Sequence, residues 1–513
     1  MRKFSRRDLL KAGWGILGSG LAANLLPDSA KTQNAGGQRP NIIMLICDAM
    51  TARNLSLYGY PRKTTPNLEK LAEKAIIYHN HYANGSFTVP GTSSLLTGLL
   101  PLSHRAVNPA GIIKKQNLIE HNIFRLLGND YFKLAFSQNY WAANLLHQFS
   151  NDIDTFLPPS EFGLINGGAI YKKFKKDPVV SSHALENMFY YRNSLLLSFI
   201  FGLYYERRIK DISLENYPTG YPIAQFHDNV FTMRDLFDGI ADKIFNLHKN
   251  EAPFFSYFHI FPPHDPYNPH KDFAGIFTND GYTPPAKREH VLSPNLTPAG
   301  LAADRSRYDS FIANIDMEIG RLFETLQEQG VLNNTYFILT ADHGEMFERG
   351  EFGHFTPLLY DPVMHIPLMV LAPGNQTRQD ITTPTNNIDL LPTILNLAGQ
   401  AIPASAEGSI LPGLGGAADP ERAIITVEAK DSVAHLPFTK ATYSIIKGNY
   451  KLIHYTGYTN KYQDHYEFYD LEQDLEELQD KYSIPRFQSI IEEMKKELRN
   501  AIDTANEKLK SEG

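Results

Sequence analysis

Residues 41–47 (Asn-Ile-Ile-Met-Leu-Ile-Cys) are apolar at nearly every position rather than at alternate ones, the pattern of a strand buried on both faces of a sheet. The run stops at Asp48. A helical pattern follows from Pro66 to Ala75, then a short strand near Ile76–Tyr78. A further helix is expected to begin close to Pro90, because proline suits a first helical turn. A second buried run, Thr335 to Thr340, ends at Ala341-Asp342-His343 and is preceded by a long amphipathic pattern from Ser306 to Gly330. Ile366 to Leu371 reads as another strand, and Asp389 to Ala398 as a helix stopped by glycine.

Strands alternating with helices imply an α/β fold with a mostly parallel central sheet and helices on both faces. Ligands bind such sheets outside the carboxyl ends of the strands, and Asp48 and Asp342-His343 both fall at such ends. A loop of small residues, 401–420, leads to a tail with a hairpin signal: Tyr443–Lys447, Gly448-Asn449, Tyr450–Tyr455. With a strand-like piece at Glu467–Tyr469 and a charged helix from Arg486 onward, residues 420–513 are expected to form a small C-terminal antiparallel sheet with a helix.

Composition narrows the class. With 513 residues, 42% hydrophobic and 20% charged, the chain is globular and large enough for an extensive core. Residues 1–30 carry five basic side chains (Arg2, Lys3, Arg6, Arg7, Lys11) and two acidic ones (Asp8, Asp28). Removing that +3 from the overall −7 leaves −10, which gives no support to a nucleic-acid partner. Ser5-Arg6-Arg7-Asp8-Leu9-Leu10-Lys11, followed by an apolar Gly-rich stretch to Leu26, resembles a twin-arginine export signal, so residues 1–30 are expected to be a leader and the protein periplasmic or at the cell surface. The apolar stretch is shorter than the roughly 20 residues of a membrane span, although an uncleaved anchor is the alternative. The single cysteine, Cys47, excludes an intrachain disulfide.

Four segments carry candidate chemistry: Asp48; Thr88 to Gly98 (Thr-Val-Pro-Gly-Thr-Ser-Ser-Leu-Leu-Thr-Gly); Pro262 to Tyr267 (Pro-Pro-His-Asp-Pro-Tyr); and Ala341 to Glu345, with His354 beyond. Each has a plainer reading. Thr88 two residues before a proline reads as a helix N-cap, Asp48 and Asp342-His343-Gly344 as strand-end turns, and His264 and His354 as solvated or core histidines. Together, though, two carboxyl groups, an imidazole and a hydroxyl make a ligand set for a divalent metal, and a helix N-terminus beside Thr88 suits an oxyanion.

The Thr88–Gly98 segment is similar to the sulfatase signature, in which a cysteine, a proline and an arginine lead to an LLTG tail. Thr88 takes the cysteine position, Pro90 the proline, and Leu95-Leu96-Thr97-Gly98 the tail. Pro263-His264-Asp265-Pro266-Tyr267 resembles the family's PHxPY element and Asp342-His343-Gly344-Glu345 its DHGE element. Tyr58-Gly59-Tyr60, Thr65–Leu68, Leu359–Asp361, Ile366–Leu368, Asp389–Thr393 and Phe468–Leu471 follow the family's order, so the resemblance spans residues 40–475, with a catalytic domain over 40–400. It implies that Asp48, Thr88, Asp342 and His343 bind the metal, while His264 and His354 contact the substrate anion or protonate the leaving group.

The departures shape the expected chemistry. Family sulfatases convert a cysteine or serine to formylglycine; Thr88 is neither, so no formylglycine is expected. Thr92 replaces the family arginine, Ala49 the second carboxylate of an Asp-Asp pair, and Gln138 an active-site lysine. His343, where many calcium sulfatases carry asparagine, shifts the site toward manganese or zinc over magnesium or calcium. The set looks more like the threonine-nucleophile branch of the alkaline phosphatase superfamily, which acts on small-molecule or lipid-linked phosphoesters. Sulfate ester hydrolysis without formylglycine, and a catalytically silent binding protein, are the alternatives. Residues 193–208, apolar with flanking arginines, suit a peripheral membrane contact or a lipid cleft, or else a buried insertion helix.

Overall fold

Asn41–Cys47 is an inner strand with every residue buried, and it is parallel to both neighbours. This is a computed structural model that describes residues 39–109, 113, 119–164, 215–224, 229–458 and 462–511. The 1–30 leader and the 193–208 stretch lie outside the described residues. Among the described residues no helix is long and apolar enough to cross a membrane.

Across the sheet the order is Gln379–Ile381, Ile76–Tyr78, Leu368–Leu371, Thr335–Thr340, Asn41–Cys47, Phe254–Ile260, Phe132–Ser137 and Thr155–Leu157. Leu368–Leu371 runs antiparallel to both its neighbours, and every other pairing is parallel. Successive side chains of the inner strand go to opposite faces, as a pleat requires. Ile43, Leu45 and Cys47 join one core with Pro66–Ala72, Met233–His248 and Pro298–Glu328, while Ile42, Met44 and Ile46 join a second core with Thr88–Thr97, Tyr140–Gln148 and Leu390–Leu397. The mostly parallel, two-faced architecture expected from the sequence is therefore the one formed.

The boundaries moved where local chemistry outweighed periodicity. The long helix begins at Pro298, eight residues before the amphipathic pattern from Ser306 emerges, because Thr297 accepts a hydrogen bond from Gly300 N and Pro298 starts the first turn. The strands Phe254–Ile260, Phe132–Ser137 and Ile424–Glu428 were not anticipated by the hydrophobic pattern.

The C-terminal sheet is antiparallel in the order Ile424–Glu428, Ala441–Lys447, Tyr450–Thr456, Asp464–Asp470. One face packs on the helix Gln488–Ser511 through Ile491, Met494 and Leu498. Ile453, Tyr455 and Tyr469 pack instead against Met346, Leu358, Tyr360 and Val363, the chain that follows Asp342-His343.

That second contact is anchored by buried charge. Lys451 Nζ lies 2.5 Å from Glu477 Oε1 and 3.4 Å from Asp361 Oδ1, and the Asp361 amide donates to Glu477 Oε2 at 2.9 Å. Burial works against the Asp361 carboxylate, but the Lys451 ammonium outweighs it and holds the group below the ordinary range. Asp361 opens the short turn Asp361–Met364, whose carbonyls at Pro362 and Val363 accept from the Glu345 and Gly344 amides at 2.9 and 2.7 Å. Only glycine fits at 344: a Cβ there would sit 2.1 Å from the Pro362 carbonyl oxygen. Lys451→Met would strand two buried carboxylates, and a loss of about 3–5 kcal/mol is expected in urea unfolding. Lys447→Met, whose partners Glu493 and Glu497 are exposed or half-exposed, should cost less than about 1 kcal/mol. Equal losses in the two variants would contradict this account.

Candidate active site

Thr88 is the first residue of the helix Thr88–Thr97, not its N-cap. The cap position belongs to Phe87, whose extended backbone (φ −148°, ψ 174°) makes no side-chain cap bond. The capping reading of Thr88 is thus corrected: its own backbone is helical, and its hydroxyl is engaged elsewhere. Thr88 Oγ1 lies 3.4 Å from His343 Nε2 and accepts from Asn139 Nδ2 at 3.1 Å. The first turn of this helix approaches the Asp342 loop backbone to backbone. A Cβ at Gly91 would fall 2.2 Å from the Asp342 carbonyl oxygen, so that contact requires glycine.

Asp48, Asp342 and His343 are all fully buried, and they offer ligand atoms that lie within 4.8 Å of one another. His343 Nε2 stands 3.3 Å from Asp48 Oδ1 and 3.4 Å from Asp342 Oδ2. Its Nδ1 is fixed by the Gly344 carbonyl at 2.9 Å, which turns Nε2 toward the carboxylates. Burial and then the neighbouring Asp48 charge push the Asp342 carboxyl up. For Asp48 burial has the same direction, but the His259 and His343 imidazoles beside it outweigh burial and hold the group well below the carboxylate range. Burial disfavours the charged His343, yet the Asp342 and Asp48 charges prevail and raise it to about 9.

These residues fit a divalent cation. Among the described residues Asp48 Oδ1, Asp342 Oδ2 and His259 Nε2 are buried polar atoms without a hydrogen-bond partner, and the last two lie 3.6 Å apart. Burying such atoms unpaired is costly, and a bound cation removes the cost.

His264 and His354 are brought to the same place. Their rings are 4.8 Å apart, and the His354 ring is 4.2 Å from that of His343. His264 stacks on Phe261, and its Nδ1 is held by Asp265, 2.8 Å from the carbonyl and 2.9 Å from Oδ1. Burial opposes its charge, but Asp265 overrides burial and lifts His264 to about 10. His354 goes the other way: burial, then the charges of His343 and His264, push it well below its ordinary value. Its Nδ1 lies 2.9 Å from Glu345 Oε1. Burial raises Glu345 itself to about 8, and Tyr267 donates to its other oxygen at 3.1 Å.

Two residues of the site were missed in the sequence. His259 is the penultimate residue of the strand Phe254–Ile260, with Nε2 3.3 Å from Asp48 Oδ2 and 3.6 Å from Asp342 Oδ2, and Nδ1 3.0 Å from the Tyr257 hydroxyl. The available signal was a histidine inside an otherwise apolar run, five residues before His264. Asn139 caps the helix Tyr140–Gln148 through its Oδ1, which leaves Nδ2 to bridge Asp48 Oδ2 at 2.6 Å and Thr88. An asparagine at a helix start is so ordinary a cap that no signal set it apart. The departures lie here too. Ala49 adopts φ 59° and its amide donates to Asp342 Oδ1 at 3.3 Å, whereas Gln138 is buried and accepts from Phe261 N at 3.0 Å.

Comparison with known proteins places the arrangement. The sulfatase family model matches residues 40–400, and the C-terminal model of N-sulphoglucosamine sulphohydrolase matches residues 350–504. An ulvan-active sulfatase of Formosa agariphila is 25% identical over 403 residues, 77% of this chain and 69% of the relative. A choline-sulfatase of Rhizobium meliloti is 22% identical over 87% of this chain and 83% of its own. The crystal structure of a phosphonate monoester hydrolase of Agrobacterium radiobacter superposes with a TM-score of 0.65 at 17% identity, covering 91% of this chain and 96% of that one, a likeness of fold. With a mostly parallel sheet that gathers Asp48, Thr88, Asp342 and His343 at its carboxyl edge, and a family model matched from residue 40 to residue 400, the chain belongs to the sulfatase family.

Proposed function

We propose that this sulfatase-family hydrolase cleaves, or transfers, phosphoesters with Thr88 as nucleophile and without formylglycine. The observation that carries the reading is the Thr88 hydroxyl itself, at a helix N-terminus, 3.1 Å from Asn139 Nδ2 and 3.4 Å from His343 Nε2, where the family signature has an oxidisable residue. A divalent cation, manganese or zinc favoured by the imidazole donors, would be held by Asp48, Asp342, His343 and Thr88, and would acidify the hydroxyl and polarise the ester.

The chain's own residues supply the rest. Thr88, its hydroxyl proton released to solvent, attacks phosphorus through Oγ as the bond to the leaving alcohol breaks, giving a phosphothreonine. His264, held charged by Asp265, donates its proton to the departing oxygen. His354, held neutral, takes the proton from a water that then attacks phosphorus and frees Thr88. Pro90 has no amide hydrogen and the Gly91 amide donates to the Phe87 carbonyl at 3.2 Å, so the Thr88 and Val89 amides and the positive end of the helix Thr88–Thr97 are what meet the developing oxyanion.

A second reading, sulfate ester hydrolysis at the same threonine, is favoured by relatives named as sulfatases. Against it stands a chemical difference: hydrated formylglycine expels sulfate by elimination from its second hydroxyl, and a sulfated threonine has no such exit. The basic leader supports an exported location for either reaction.

Thr88→Ala is expected to lower turnover roughly 10³-fold or more while the thermal midpoint stays near wild type. Acid quenching of wild type during turnover should leave a phosphoryl group on the peptide containing Thr88; a sulfuryl group there would favour the second reading, and no adduct with full activity in Thr88→Ala would defeat both. Chelation should lower the wild-type midpoint by several °C and manganese or zinc should restore it, a response of roughly 2–4 kcal/mol that Asp342→Asn abolishes. His264→Gln should cut kcat/KM for an alkyl phosphoester by about 10²–10⁴ and for a 4-nitrophenyl ester far less, since only the alkoxide needs the proton. Equal losses on both esters would remove His264 from the general-acid role.

A further inference from the structure

Each of three residues in the site is followed or preceded by an aromatic ring, and the three rings meet. Phe87 precedes Thr88, Phe355 follows His354, and Trp141 lies two residues beyond Asn139. Phe87 and Phe355 are 5.0 Å apart between centroids, Phe87 and Trp141 6.1 Å, and Trp141 and Phe355 5.8 Å. Phe87 is fully buried and forms the back of this wall, Trp141 is half-buried, and Phe355 is 44% exposed. A large exposed ring beside a buried polar centre leaves apolar area in water that a ligand can cover.

The wall also carries charge. Lys430 Nζ lies 4.6 Å from the Phe355 centroid and donates to the Phe355 carbonyl at 3.2 Å. Its side chain is only 14% exposed, so the ammonium is held at the rim rather than waving in solvent. Glu428 Oε1 is 3.3 Å from Lys430 Nζ, while Glu428 Oε2 accepts from the Tyr458 hydroxyl at 2.8 Å. One carboxylate shared with a tyrosine leaves the ammonium able to take a second anion.

We propose that Trp141, Phe355 and Lys430 form the subsite for the alcohol part of the ester, and that it takes a ring-bearing alcohol with a second negative charge, such as the sugar ring of an acidic saccharide. The ligand ring packs against Trp141 and Phe355, whose planes are tilted 44° to each other, and the anionic substituent meets Lys430 beside the Phe355 ring. This rests on the reading of Thr88 as the nucleophile only in that it makes the alcohol the leaving group; binding to the wall does not need the reaction.

The chain holds two tryptophans, Trp14 in the leader and Trp141, so a Trp14→Phe full-length protein reports on the wall alone. Titrating it with glucuronate, glucose, benzoate and propionate separates ring, charge and ring type. Glucuronate is expected to change the Trp141 emission saturably, glucose about tenfold more weakly, and propionate not at all; the tenfold is what roughly 1.4 kcal/mol gives. Lys430→Met should remove the preference for glucuronate over glucose, and Phe355→Ala should weaken both about tenfold. A saturable response to benzoate at least as strong as that to glucuronate would replace the saccharide with an aryl acid. No saturable response to any ring acid, or one that both substitutions leave unchanged, would overturn the subsite.

Thr88→Ala should retain this binding, so a protein that binds glucuronate but leaves no adduct on Thr88 would refute the reaction and keep the subsite. For any ester that the enzyme turns over, Phe355→Ala should raise KM for ring-bearing alcohols and leave an ethyl ester unchanged. A uniform loss across both would show that the wall merely supports the site.

Discussion

Two carboxylates, Asp48 and Asp342, are driven together at the buried end of two adjacent parallel strands, and much of the surrounding structure answers that repulsion. His343 and His259 stand between them, Asn139 donates to one, and the backbone amides of Ala49 and His343 donate to the other. The positive end of the helix Thr88–Thr97 is brought up by a glycine that lets its backbone touch the Asp342 carbonyl. Such a cluster is poorly compensated by protein alone, which is the physical reason it suits a cation.

Holding that geometry requires support from behind. The loop from Asp342 to Glu345 is bound through its amides to the turn at Asp361–Met364, and that turn is fastened to the C-terminal sheet by Lys451 and Glu477. The small sheet therefore acts as a buttress for the site: its inner face carries Ile453, Tyr455 and Tyr469 against the chain that leaves Asp342 and His343. The two histidines further out are tuned in opposite directions, His264 upward by Asp265 and His354 downward by burial, which favours one charged and one neutral imidazole within one small space.

Much of this was legible in the chain. The inner strands Asn41–Cys47 and Thr335–Thr340 stand out because burial on both faces demands unbroken apolar runs, and a polar residue just beyond such a run marks a strand end. Asp48, Asp342 and His343 were found that way, and Thr88, His264 and His354 through ordered motifs. What escaped had no local signature. His259 lies within a strand whose neighbours are apolar, so only the third dimension shows that its end meets Asp48. Asn139 performs an ordinary capping role with one atom and a site role with the other. The plainer reading of Thr88 as a cap rested on a helix start near Pro90, but the helix starts at Thr88 itself, and its hydroxyl meets Asn139 and His343.

The order of strands in the sheet also sets a timetable for biosynthesis. Ala49 and Asp342, which meet through a hydrogen bond, are 293 residues apart in the chain, and both inner-sheet neighbours of Asn41–Cys47 are made long after it. At ribosomal speeds of about 5–20 residues per second, the first strand waits roughly 15–60 s for that partner. Until Phe254–Ile260 is made the first strand has neither of its sheet neighbours, and the site cannot assemble before Asp342 and His343 have been added.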